Sequence, residues 1–347
     1  MNASISKPVP ETASWLRAYD VFNGDADGIC ALHQLRLVHP REATLVTGVK
    51  RDIDLLKRIP PGEKADVTVL DISLVVNAPT LLRILHDGGQ VAYFDHHSGV
   101  GPFPHAGLTL HWDDSPDVCT SILVDRHLGG VCRKWAVVAA FGDNLDGPAQ
   151  ALAASIGVDR RRLQELEELG RLINYNAYGE RVEDLHVAPD ILYLGLRAYT
   201  DPFDFIHGSD HFRLLSEGYR DDAARMRSLS PASETEGGAI YLLPDAPWAR
   251  RISGTFANKL ASEGTPRSYA VLTERSDGGY VVSVRSGQPE LRSANRLCDW
   301  FPTGGGRKAA AGINCLAADD LENFARAFHE YFAPNYANGV PARVHVE

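Results

Sequence analysis

The sequence predicts an α/β protein: a mostly parallel N-terminal sheet with helices on both faces, then a smaller C-terminal α/β domain. Three observations predict it. Through the first half, short apolar runs alternate with longer amphipathic stretches, the pattern of βαβ units. A charged helical region follows, and Ser228 to Gly238, rich in Ser, Glu and Gly and containing Pro231, breaks it. Beyond that break come alternating apolar runs and the hairpin signal Asp277-Gly278-Gly279. At roughly 150 residues per domain, 347 residues suit two domains. The divisions expected are residues 16–190, a helical connector 191–238, and 239–335.

The elements follow in order. Ala18 to Phe22 is a short apolar strand ending in Asn-Gly. Gly28 to Val38 is a helix, with Ile29, Leu32, Leu35 and Val38 on one face. Ala43 to Val49 reads as a strand, Ile53 to Ile59 as a helix, Asp66 to Leu70 as a strand, Ala78 to Asp87 as a helix and Gln90 to Phe94 as a strand. Ser121 to Leu128 and Lys134 to Phe141 read as buried helices. Arg160 to Ile173 is amphipathic, with shorter helical pieces at Tyr175 to Arg181 and Pro189 to Leu196. In the last third, Ala239 to Leu243, Ser268 to Thr273 and Gly279 to Arg285 are strands, while Ile252 to Ala261 and Leu321 to Tyr331 are helices.

Composition excludes several classes. The chain is 44% hydrophobic and 23% charged, which suits a folded globular protein rather than a disordered one. A net charge of -10 argues against gripping long nucleic acid by bulk electrostatics, though a short nucleotide held by a few arginines and a metal remains open. The five cysteines are odd in number, widely spaced and without a CxxC pair, so a disulfide framework or zinc-thiolate site is not expected. Residues 1–15 lack the apolar core of a signal peptide, and no apolar run reaches the ~18 residues of a membrane span. A cytoplasmic protein without membrane partners is expected.

Four acidic or His-bearing clusters follow apolar runs: Asn23-Gly24-Asp25-Ala26-Asp27-Gly28; Asp71; Asp95-His96-His97; and Gly142-Asp143-Asn144. Taken singly, a DxDG is commonly a turn and an Asp after a strand commonly a helix cap. Together, at the ends of parallel strands, they would repel one another unless a cation neutralised them. Oxygen-rich sites with one or two His suit manganese, magnesium or iron better than thiolate-loving metals.

FNGDADGI, VLDIS, YFDHH and GDN resemble the four ordered motifs of the DHH phosphoesterase superfamily. Gly304-Gly305-Gly306-Arg307-Lys308-Ala309-Ala310-Ala311-Gly312 resembles the glycine-triplet motif of the DHH-associated domain. The resemblance covers about Tyr19 to Phe332. It implies a phosphoesterase with two divalent cations, manganese first and magnesium as the alternative. Asp25 would ligate one ion and Asp27 the other, Asp71 would bridge both, and His96 and Asp143 would complete the ligand set of the second ion. Asp95 would lie in or beside that set, and His97 would face the phosphate or leaving group. Two positions depart from the family pattern. Asn23 stands where a charged or imidazole ligand is common and offers only a neutral oxygen, to the metal or to a water. Arg307 stands where the glycine motif usually has His, and it can grip a phosphate but not exchange a proton.

Three successive glycines allow close backbone approach to an anion, or simply a tight turn before a following strand or helix. Arg285, Ser286, Gly304, Gly305, Gly306 and Arg307 are the expected substrate contacts, with Arg292 and Asn295 as further candidates. The domain pair resembles the oligoribonuclease branch, which hydrolyses short oligoribonucleotides or linear dinucleotides such as pGpG to nucleoside monophosphates. The alternatives are a phosphatase on polyphosphate, pyrophosphate or adenosine 3′,5′-bisphosphate, and a non-catalytic nucleotide sensor. Association as a homodimer is left open.

Overall fold

A computed structural model describes residues 16–99, 101, 103–262 and 264–335; the N-terminal stretch read for a signal peptide lies outside them. The first half builds β1 (Arg17–Phe22), α1 (Ala26–Val38), β2 (Thr44–Val46), β3 (Ala65–Leu70), α2 (Leu74–His86), β4 (Gln90–Asp95) and β5 (Leu108–Trp112). The five strands form one parallel sheet in the order β2-β1-β3-β4-β5. Strand alternation gives the sheet two apolar faces. Tyr19, Val21, Val67, Val69, Val91 and Tyr93 pack with residues of α2. Phe22, Leu70 and Phe94 pack with α1 and with α3 (Thr120–His127) and α4 (Arg133–Gly142).

A helical layer follows: α5 (Asp146–Ser155), α6 (Arg160–Asn176), α7 (Pro189–Leu196), α8 (Pro202–Gly208) and α9 (Asp210–Arg227). The C-terminal part contains β6 (Ser233–Thr235), β7 (Gly238–Leu243), α10 (Pro247–Ser262), β8 (Ser268–Glu274), β9 (Tyr280–Arg285), α11 (Ala294–Cys298), β10 (Gly304–Gly306), β11 (Ala310–Leu316) and α12 (Leu321–Phe332). Its strands form a mixed sheet in the order β10-β11-β9-β8-β7-β6, in which β7 and β8 run parallel across α10. Ile240, Leu272, Val282 and Val284 face Phe324 and Phe328 of α12. On the other side, Tyr269 and Val271 join Ile252 and Phe256 of α10 in an apolar cluster continuous with the N-terminal core.

The α/β architecture agrees with the sequence, with local differences. The Ala43 to Val49 strand contracts to β2. Ile53 to Ile59 yields a single 3-10 turn, Leu55–Arg58, closed off by Pro60 and Pro61. α2 begins at Leu74 rather than Ala78 and carries Pro79 inside its first turns. The strand β5 and helices α5, α8, α9 and α11 have no counterpart in the sequence reading. The five cysteines are free, and no helix among the described residues is long and apolar enough to cross a membrane.

Candidate metal centre and interdomain cleft

Three of the four clusters sit at the carboxyl ends of adjacent strands β1, β3 and β4, where the chain crosses from one side of β1 to the other and doubly wound sheets place their ligands. The fourth arrives differently: Asp143 caps the C-terminus of helix α4, not a strand. The helix stops because Asn144 adopts a left-handed φ of 60°, which Asn tolerates.

Asp25 is the N-cap of α1, and its Oδ1 accepts from the N–H groups of Asp27 (3.0 Å) and Gly28 (3.1 Å). Asp27 is buried, and its two oxygens accept from the Thr120 and Ser121 N–H groups at the start of α3, both at 2.7 Å. Thr120 Oγ1 donates to Asp71 Oδ1 at 3.3 Å. His96 Nε2 lies 3.4 Å from Asp71, 4.0 Å from Asp27 and 4.0 Å from Asp143. Its Nδ1 donates to the Val118 carbonyl at 3.0 Å. A carbonyl can only accept, so Nδ1 carries a proton, and Nε2 is the nitrogen turned toward the cluster.

The electrostatics describe a pocket short of positive charge. Burial, Asp27 and Asp25 push the Asp71 carboxyl well above its usual range. Burial also raises Asp143; Lys50 opposes this, while Asp27 and Asp25 add to it. Burial would lower His96, but Asp71, Asp27 and Asp143 raise it to about 10. Two groupings have the spacing of metal ligands, Asp27-His96-Asp143 and Asp71-His96-His97, each with its ligand atoms within 4.8 Å of one another. Carboxylate oxygens with one or two imidazoles fit a hard or borderline divalent cation.

Other expected ligands stand apart. Asp95 Oδ2 caps α2 through the Leu74 N–H (3.0 Å), and its Oδ1 accepts from the His97 N–H (3.0 Å) and ring Nδ1 (2.7 Å), so it orients His97 instead of joining the cluster. Asn23 Oδ1 accepts from the Asp25 N–H (3.3 Å), and its amide donates to the Lys50 carbonyl (3.2 Å).

Lys50 is the residue the sequence reading missed. Its Nζ lies 2.5 Å from Asp25 Oδ2, 2.9 Å from Asn174 Oδ1 and 3.7 Å from Asp143 Oδ1. Burial would lower this amine, but Asp25 and Asp143 raise it well above the usual lysine range. In return Asp25, which burial alone would raise, is held below its usual range by Lys50 and the Gly28 N–H. The one sequence signal was position, since Lys50 follows a strand end as the acidic clusters do. Gly24 is required beside it, because a Cβ there would collide with the Gly48 carbonyl.

A cleft of about 610 Å³ opens beside the cluster. Gly142 and Asn144, the neighbours of Asp143, and Asn174, the partner of Lys50, line one wall; Asn258 and Lys259 of α10 line the other. Arg285 Nε donates to Asn258 Oδ1 at 2.9 Å. Burial lowers this guanidinium, and it forms no ion pair among the described residues. A second recess of about 200 Å³ lies on the far side of Tyr178, lined by Arg51, Arg250 and Arg275. Glu167 and Glu168 of the amphipathic helix α6 also line the larger cleft.

The remaining expected contacts divide. Arg307 is exposed on the β10–β11 hairpin. The glycine triplet is the edge strand β10, rather than a turn or an open loop. Two expected contacts have polar groups engaged within the fold. Ser286 Oγ donates to the Arg292 carbonyl (2.6 Å) and accepts from the Gln288 N–H (3.1 Å). The Arg292 guanidinium holds the end of α12 through the Phe332 and Pro334 carbonyls. Asn295 lies in α11, with a buried Oδ1 that has no hydrogen-bond partner.

No protein-family model matches the chain, and no curated protein matches its sequence. Solved structures do. Exonuclease RecJ bound to manganese aligns with a TM-score of 0.59 at 19% identity, covering 92% of this chain and 90% of that one. RecJ from Thermus thermophilus in complex with Mn2+ aligns with a TM-score of 0.60 at 19% identity. That alignment covers 91% of this chain and 52% of that one, so this chain spans about half its length. The DHH domain of a protein described as a member of a family of ribosomal proteins aligns with a TM-score of 0.60 at 14% identity, covering 90% of this chain and 85% of that one. The chain therefore has the fold shared by RecJ and DHH-domain proteins.

Proposed function

We propose that this protein is a metal-dependent phosphodiesterase that hydrolyses short oligoribonucleotides or linear dinucleotides to nucleoside monophosphates. The observation that carries the proposal is the placement of the Asp27-Asp71-His96-Asp143 cluster at one wall of a cleft whose other wall is backed by Arg285, a cation without an ion pair among the described residues. The manganese bound by the RecJ structures of the same fold supports a divalent ion here. Asp27, Asp71, His96 and Asp143 would hold that ion, which would supply Lewis acidity toward a phosphoryl oxygen and toward water.

The chain's own groups do the rest. Thr120 and Ser121 fix the Asp27 carboxylate by hydrogen bonds, so its oxygens need no reorganisation when substrate binds. Asp95 fixes the His97 ring through Nδ1, leaving Nε2 to give a proton to the leaving oxygen. Arg285 receives a phosphate one nucleotide from the scissile bond, satisfying a half-buried guanidinium that otherwise lacks an anion. The cleft volume falls within the ~300–1,000 Å³ typical of small-ligand sites, which favours a dinucleotide over a long strand.

The test is product release from 5′-phosphorylated RNAs of two to seven nucleotides, with Mn2+ and with chelator. Pyrophosphate, polyphosphate and adenosine 3′,5′-bisphosphate run in parallel. Metal-dependent mononucleotide release, fastest on the dinucleotide, is the expected result. Phosphate release from one of the other substrates without RNA cleavage would replace this reading with a phosphatase, and inertness toward all of them would replace it with a nucleotide sensor.

A further inference from the structure

We infer that this centre takes one divalent cation rather than two, because the ammonium of Lys50 stands where a second cation would otherwise neutralise Asp25. The inference rests on the reading that the carboxylate cluster binds a metal, and it departs from the two cations that the sequence resemblance implies.

Lys50 is built into the site. Its backbone N–H donates to the Ala177 carbonyl at 2.9 Å, and its own carbonyl accepts the Asn23 amide at 3.2 Å. The backbone is thus pinned on both sides, by the end of α6 and by the β1–α1 loop. The side chain then runs past the Tyr178 ring, 5.8 Å from its centroid, and ends between Asp25 and Asn174. An ammonium so placed is a fixed positive charge with three donors.

The residues that would serve a second ion are already engaged, Asp25 by a cation. Asp25 gives Oδ1 to two N–H groups and Oδ2 to Lys50. Asn23 accepts with its oxygen and donates with its nitrogen, and the donation is one that a carboxylate could not make. Asn23 and Lys50 therefore act as a pair: a neutral side chain that brackets the loop, and the cation the loop delivers. The metal-competent groupings agree, since neither includes Asp25 and both require His96. With Nδ1 engaged by Val118, His96 has one free nitrogen, which serves one ion. A second divalent ion at Asp25 would set a dication beside the pinned ammonium of Lys50.

The test is metal stoichiometry on the full chain, independent of substrate. Equilibrium dialysis against Mn2+ with metal analysis should return one ion per chain, with the resolved hyperfine spectrum of an isolated Mn2+ by electron paramagnetic resonance. Lys50→Arg keeps one ion. The double variant Asn23→Asp/Lys50→Met, which trades the bracket and the cation for a carboxylate and a neutral chain, takes up a second and gives an exchange-coupled spectrum. Two ions in the wild type, or one in a folded double variant, would overturn the inference while leaving the metal reading intact. No bound Mn2+, or binding unaffected by Asp27→Asn, would overturn the metal reading and the inference with it. The wild-type count decides alone, so an unstable variant does not shelter the inference.

Discussion

Asp71 carries a backbone φ of 59°, a left-handed conformation that costs a non-glycine residue about 1–2 kcal/mol. Its N–H donates to the Phe94 carbonyl at 3.1 Å, which ties the bend to the end of β4 and turns the carboxylate toward His96. Asn tolerates the same backbone, so Asp71→Asn isolates the charge. Turnover should fall on the order of a thousandfold, about 4 kcal/mol of lost transition-state stabilisation. The melting temperature should hold or rise, because Asp71 is a buried carboxyl repelled by Asp25 and Asp27. Steady-state kinetics and a thermal melt check both halves. His33 makes a second prediction, away from the site. It is buried between α1 and the α7–α8 connection, its Nε2 donates to the Tyr199 carbonyl at 2.9 Å, and its ring meets Trp135 edge-on at 4.6 Å. Burial depresses it from 6.5 to about 4. The unfolded chain protonates first, so stability is full above pH 6.5 and is lost as pH falls toward 4. The loss approaches roughly 3 kcal/mol at the acid end. Urea unfolding at several pH values should show this slope, and His33→Gln should flatten it.

At the scale of elements, α10 joins the halves of the molecule through a charge as well as through apolar packing. Arg251 on α10 grips Asp222 of α9 by two bonds, Nε to Oδ2 at 2.9 Å and Nη2 to Oδ1 at 3.2 Å. It also donates to the Asp184 carbonyl, and Tyr175 donates to the same Asp222 carboxylate. Burial would raise Asp222, but His186, Arg251 and Tyr175 hold it below its usual range. Arg251→Met leaves that carboxylate without its cation and should cost about 3–5 kcal/mol. Adding Asp222→Leu should recover part of it. Denaturant midpoints of the single and double variants measure this. The sequence made the sheet elements legible where the apolar runs were sharp. β1, β3 and β4 are buried on both faces, and each ends in a chemistry-bearing residue that local reading could find. It hid α8 and α9, whose starts at Asp201-Pro202 and Ser209 look like loop punctuation around His207 and His211. It hid β10, because three glycines carry no strand pattern and pair only through β11. It hid Lys50 for a different reason. Nothing within its own segment marks it, and its role exists only once β2 lies beside β1 and α6 closes over the loop.

At the scale of the whole molecule, the proposed function asks a chain of net charge -10 to attract a polyanion. Around the two recesses, Arg250 is already paired with Glu180 and Asp245, and Arg275 with Asp277. Arg51, Lys259 and Arg285 line or adjoin the recesses and form no ion pair among the described residues. Three cations unpaired among the described residues therefore line or adjoin the recesses. Each phosphate neutralised on a single strand contributes a slope of about −0.7 to the dependence of log affinity on log salt. The slope of log kcat/KM against log salt on a dinucleotide should then be shallow, between about −0.7 and −2. On the short-substrate reading it should not steepen as the RNA lengthens, because further phosphates would lie outside the cleft. Arg285→Ala should remove about one contact, reducing the slope by about 0.7 and raising KM more than it lowers kcat. Rates measured from low to high salt across the RNA length series decide the matter. A slope that grows with each added nucleotide would mean that the strand continues along a basic track outside the cleft, and the short-substrate reading would give way to a long-chain exonuclease.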